Sequence, residues 1–178
     1  MEFLDILNEK GDLLGVKKAR QEVHEKGYWH KVVHVWIMNL KGEVLIQKRS
    51  AAKISDPNLW AISCEGHVTA GDTVVEAVLK ELNEELGLIF KENDLRFLFD
   101  YSSKSVKNNG TYLANHFVSV YLIKSDLSLD DIVLQADEVE AVKWIKIVDW
   151  EEKMANKDPE FKQYRQYARL CKCLKEVN

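Results

Sequence analysis

Glu81, Glu84 and Glu85 stand close together near the end of a segment, Thr73 to Leu86, that carries the local signs of a helix. At about 100° per residue the three side chains share one face. Val75, Val78, Leu79, Leu82 and Leu86 form an apolar stripe beside it. Acidic residues on a solvated helix face are common. These three, however, repel one another, and near the helix C-terminus they oppose the macrodipole. Stability alone would favour Lys or Arg there. A hard divalent cation would relieve the repulsion, and a donor set of carboxylate oxygens suits Mg²⁺ or Mn²⁺.

Other side chains carry open alternatives. Arg49, closing a strand read over Val44 to Lys48, is either a bidentate phosphate contact or a plain surface cation. Trp29, Trp36 and Trp60 either stack on a base or fill the core, which is the commoner role. His34 lies inside a strand and reads as a hydrogen-bonded packing residue. Cys171-x-Cys173 has no second Cys or His pair nearby, so it reads as two helix residues rather than metal ligands.

The elements that must position these groups follow from local patterns. Phe3 to Gly15 reads as a hairpin turning at Asn8 to Gly11, and Lys17 to Lys26 as a short helix stopped by Gly27. Tyr28 to Leu40 and Glu43 to Lys48 read as strands, Ser50 to Asn58 as a loop, and Leu59 to Ser63 as extended. Thr73-Val74-Val75-Glu76 is a capping box, and Gly87 supplies the stop. Further strands are expected over Leu95 to Tyr101, Tyr112 to Ile123 and Val139 to Ile147, with a turn at Asn108-Asn109-Gly110. Asp149 to Asn156 and Pro159 to Lys175 read as helices. Strands and helices mix without regular βαβ alternation, which points to an α+β class with a mixed or antiparallel sheet.

Composition sets the outer limits. The chain has 178 residues, which suits one domain over 1–178. Hydrophobic residues make up 46%, enough for a core. A net charge of −4 argues against sequence-independent nucleic-acid binding, yet leaves room for a phosphorylated substrate beside a cation. No apolar run approaches the roughly 20 residues that cross a bilayer. Met1 to Lys10 carries Glu2, Asp5 and Glu9 and lacks a basic stretch, so no signal peptide is expected. Three cysteines without a framework spacing suggest a reducing, cytoplasmic setting. A homodimer through edge strands or the N-terminal hairpin is compatible with the pattern.

Gly66 to Leu88 extends the acidic cluster into a longer pattern. It resembles the Nudix box, G-x5-E-x7-R-E-U-x-E-E-x-G-U with U aliphatic. Gly66, Glu81, Leu82, Glu84, Glu85, Gly87 and Leu88 fit their positions. Asp72 stands where that family usually has Glu, and Lys80 where it usually has Arg. Both keep charge, although Lys lacks the planar fork of Arg and would brace the loop less firmly. The resemblance implies an α/β/α sandwich around a mixed sheet. It also implies hydrolysis of a diphosphate joined to another moiety, with one or more divalent cations. On that footing Glu81, Glu84 and Glu85 are the metal-binding and catalytic residues, and Lys80 braces the Gly loop or touches phosphate. Arg49, Lys80, Gly66 and His67 would face the substrate. A cation screens the phosphate oxygens while a carboxylate orients or deprotonates the attacking water.

The likeness runs on through Leu4-Asp5-Ile6, Gly11, Arg20, His24, Gly27, Trp29-His30, His34-Val35-Trp36, Gln47-Lys48-Arg49-Ser50, Trp60 and Gly66-His67. These look like the branch related to isopentenyl-diphosphate isomerase. That enzyme uses a cysteine directly before its Gly-His pair and a metal held by histidines and two glutamates. Here Glu65 precedes Gly66-His67 and Cys64 lies one residue earlier, which turns it to the other face of a strand. Ala114 and His116 stand where the glutamates would be. The hydrolase box is nearly complete and the isomerase set is not, so hydrolysis is the expectation. Isomerisation and a non-catalytic nucleotide- or sugar-sensing role are the alternatives. His24, His30, His67 and His116 could form a second metal site or a proton relay, as the isomerase likeness hints for the first three, or could simply pack.

Overall fold

The computed structural model describes residues 1–176. Its centre is β3 (Trp29–Met38), a strand apolar on both faces. Val33, Val35 and Ile37 are buried on one side and Val32, Trp36 and Met38 on the other. A period of two with both faces apolar requires layers above and below. The first face is covered by α2 (Val74–Leu86), which buries Ala77, Val78, Leu82 and Leu86. The second is covered by α3 (Ile147–Ala155) and α4 (Tyr167–Glu176) through Trp150, Met154, Leu170, Cys171 and Leu174. The result is the α/β/α sandwich around a mixed sheet.

Along one edge β3 pairs in parallel with β8 (Tyr112–Lys124), from Trp29↔Asn115 to Met38↔Lys124. β8 in turn pairs antiparallel with β7 (Arg96–Lys107). Three strands share the rest of β3. They are β1 (Phe3–Leu7) at Trp29, β6 (Cys64–His67) from Val32 to Val35, and β4 (Glu43–Arg49) at Met38. β4 also holds β5 (Trp60–Ala61) and β9 (Val139–Lys146), while β2 (Leu13–Ala19) pairs with β1 at the margin.

Two helices start more than two residues from where the sequence pattern puts them, and α3 starts at Ile147, two residues before Asp149. Lys17, Lys18 and Ala19 pair with Asp5, Leu4 and Phe3, so β2 continues to Ala19 and α1 spans only Arg20–Lys26. Sheet pairing overrides the local helical tendency. The C-terminal helix starts at Tyr167, not near Pro159, because residues 160–162 are tied to the sheet. Trp60 N donates to Glu160 O, Lys162 N donates to Trp60 O, and Trp60 bridges Phe161. β7 also runs six residues past Tyr101, to Lys107. The turn at Asn108-Asn109-Gly110 forms as expected, with positive φ at all three residues.

Candidate active site

α2 starts where the capping box puts it. Thr73 Oγ1 accepts from Glu76 N at 3.2 Å, and Glu76 Oε2 accepts from Thr73 N at 2.7 Å. Gly87, at φ 66°, ends the helix and donates to Asn83 O. The acidic face does not lie wholly in solvent. Glu84 is exposed, Glu81 is partly covered, and Glu85 is only 3% exposed on the seam between the acidic and apolar stripes.

β6 meets this helix with alternating sides. Cys64 and Gly66 pair with Val35 and Val33 and face α2; Glu65 and His67 pair with His34 and Val32 and face away. Gly66 is required by its neighbour, since a Cβ there would fall 2.0 Å from the Glu81 carboxyl carbon. Gln47 Nε2 donates to Glu85 Oε2 at 3.0 Å, and the buried Cys64 thiol also hydrogen-bonds Glu85. Burial, followed by Glu85, Glu2 and Glu84, pushes the Glu81 carboxyl up to about 8. Burial raises Glu85 as well, against the opposing pull of Gln47, Lys53 and Cys64. Two largely buried carboxylates, each raised and each without a cationic partner of its own among the described residues, would take a hard divalent cation favourably, since their donors are oxygens.

A cavity of about 410 Å³ opens beside these glutamates. Lys80 lines it, with Nζ 3.5 Å from Thr69 Oγ1. That single long contact is a slack brace for the loop after β6. Arg49 also lines it but is no surface cation. Its guanidinium is buried, with Nη1 on Glu65 Oε1 at 2.8 Å and Nε and Nη2 on the carbonyls of Ser55 and Asp56. Lys162 reaches the same Glu65 oxygen, and His34 and Tyr164 approach Oε2 at 3.6 and 3.4 Å. Burial pushes Glu65 up, but Lys162, Arg49 and His34 outweigh it and hold the carboxyl well below the usual range. Lys107 and Lys162 also hold Asp56, so the loop over 50–58 is fastened to the cavity wall by ion pairs.

Four histidines cluster beside another wall, which His67 and His116 line and His24 and His30 back. His24 Nε2 lies 3.0 Å from His67 Nε2 and 2.9 Å from the Tyr112 hydroxyl. His24 Nδ1 donates to Leu113 O and His30 Nδ1 to Tyr28 O. Ring nitrogens of His24, His30 and His116 lie within 4.8 Å of one another, a set that could also hold an ion. Burial lowers all four, His30 to about 4, so they stay neutral near pH 7. Trp29, Trp36 and Trp60 do not line the cavity; Trp36 is core, and Trp60 packs under Lys143.

Glu65, Lys162, Lys107 and Tyr164 were not foreseen as cavity residues. Lys162 and Tyr164 fall in the stretch read as helix, and the side to which Glu65 turns depends on strand pairing that no local pattern reveals.

A NUDIX domain model matches residues 28–166. The chain belongs to the Nudix family. It is 36% identical to Nudix hydrolase 3 of Arabidopsis thaliana over 92% of its length, although it spans only 22% of that protein. It is also 36% identical to an uncharacterised Nudix hydrolase of Clostridium acetobutylicum, covering 82% of this chain and 70% of the other. An isopentenyl-diphosphate isomerase of Cutibacterium acnes is more distant, at 26% over 81% of this chain and 73% of that enzyme. A crystal structure from Deinococcus radiodurans shares the fold, with a TM-score of 0.72, 22% identity and coverage of 96% of this chain and 98% of that one. This Nudix chain is therefore an enzyme of the hydrolase kind, acting on acid anhydrides of the pyrophosphate type.

Proposed function

We propose that the chain hydrolyses the diphosphate linkage of a nucleotide or related small metabolite, using Mg²⁺ or Mn²⁺ held by Glu81, Glu84 and Glu85. The observation that carries this is the pairing of Glu81 and Glu85, both largely buried and both raised, beside a cavity rich in Lys and Arg. The cation supplies charge neutralisation on the phosphate oxygens. A carboxylate of the cluster, ionised once a cation is bound, would orient the attacking water or take its proton. The new P–O bond forms as the bridging P–O bond breaks and the phosphate leaving group departs. Lys80 and Lys53, both lining the cavity, attract the anionic chain of the substrate. Arg49 fixes Glu65 and the loop over 50–58, and so sets the cavity wall.

The isomerase alternative loses ground on three residues. Cys64 is buried beneath α2, and burial, with Glu85 and Glu81 next, pushes its thiol well above the usual range. Ala114 and His116 offer no carboxylate. The test is a panel of nucleoside di- and triphosphates, dinucleotides, sugar nucleotides and prenyl diphosphates, assayed with Mg²⁺ and with EDTA. Release of a phosphate-bearing product from at least one member, stopped by EDTA, is expected. Rearrangement of a prenyl diphosphate without phosphate release would refute the proposal.

A further inference from the structure

β4 carries one polar side chain into the core beneath α2. Val44, Leu45 and Ile46 are followed by Gln47, which is 1% exposed and faces the same way as Leu45. Its Nε2 donates to Glu85 Oε2, while its Oε1 is buried with no hydrogen-bond partner among the described residues. A buried amide with an orphaned oxygen is a poor choice for stability, since an apolar side chain of equal size would avoid the desolvation. Gln47 does not line the cavity, so it does not touch substrate.

The direction of the amide matters. Nε2 faces the carboxylate; the reverse orientation would set Oε1 against a negatively charged oxygen. Gln47 is therefore matched to the ionised form of Glu85, the form that can bind a cation. Donation to Oε2 also fixes the rotation of the carboxylate about its last bond.

We propose that Gln47 is a positioning residue that orients Glu85 for the divalent cation, at a cost to the stability of the core. This rests on the reading of Glu85 as a cation ligand. It makes an unusual demand: removing the amide should weaken function without weakening the fold.

The experiment uses the full chain, freed of metal, with Gln47→Met and Gln47→Leu. Mn²⁺ binding is followed by electron paramagnetic resonance, and the apo melting temperature is measured in parallel. The expected result is a melting temperature equal to or above wild type, with Mn²⁺ affinity lowered about 10-fold or more. Adding Glu85→Gln to Gln47→Met should weaken binding no further than Glu85→Gln alone. Mn²⁺ affinity within twofold of wild type in either folded variant would overturn the proposal. So would a parallel fall of melting temperature and affinity, or failure of both variants to fold. Wild-type affinity in Glu85→Gln would instead overturn the assignment of Glu85 itself.

Discussion

Gly66 and Glu81 occupy one space: the position a Cβ would take on Gly66 lies 2.0 Å from both Cδ and Oε1 of Glu81. The end of β6 and the side chain on α2 are thus fitted to each other. The carboxylate is packed against bare backbone on one side, which limits where it can point. Gly66→Ala should push Glu81 aside and lower turnover by about 100-fold. The rest of α2 is anchored by Leu82 and Leu86, so a substantially folded protein is expected. Turnover near wild type in Gly66→Ala would show that the position of Glu81 does not matter.

Cation binding should stabilise the fold. Glu81 and Glu85 are both raised in the metal-free protein, so millimolar Mg²⁺ or Mn²⁺ should raise the melting temperature by mass action. Glu81→Gln/Glu85→Gln should lose most of that response. A full response in the double variant would place the cation elsewhere, with His24, His30 and His116 as the next site to examine.

Stability without metal should pass through a maximum near pH 6.5. Folded Glu81 keeps its proton up to about pH 8, whereas an unfolded glutamate releases it near 4.5. The folded state holds the extra proton in that window, so this group makes stability fall as pH rises. His30 and His34 are lowered by burial to about 4, although Glu65 partly offsets this at His34. Between about 6.5 and 4 the unfolded state holds those extra protons, so stability falls as pH falls. Urea unfolding in EDTA from pH 5 to 8.5 checks this. Glu81→Gln should flatten the alkaline limb; a wild-type curve rising steadily to pH 8.5 would contradict the assignment.

Cys64 should prove chemically quiet. Its thiol is fully buried and its pKa is pushed up, so little thiolate exists at neutral pH. Cys64→Ser keeps a donor for Glu85 and should retain hydrolysis within several-fold of wild type. Native protein should resist alkylation of Cys64. Loss of turnover in a folded Cys64→Ser, with Glu85→Gln still active, would favour isomerase chemistry.

Much of this was legible in the sequence because it is local. The capping box at Thr73, the stop at Gly87 and the acidic face of α2 all lie within one continuous stretch, where spacing alone fixes geometry. The same spacing placed Cys64 and Glu65 on opposite faces of a strand before any pairing was known. What stayed hidden depends on distant pairing. Lys162 meets Glu65 across 97 positions, and Gln47 meets Glu85 across 38. The boundary at Ala19 was missed for a related reason, since its residues follow β1 rather than their own helical tendency.

Glu85→Gln, set beside wild type on the best substrate of the diphosphate panel, tests the central claim most directly. Gln keeps the shape and helix propensity of Glu while removing the charge. Phosphate release by wild type should stop in EDTA, and Glu85→Gln should fall by at least about 100-fold with its melting temperature little changed. Undiminished Mg²⁺-dependent release by a folded Glu85→Gln protein would contradict the account.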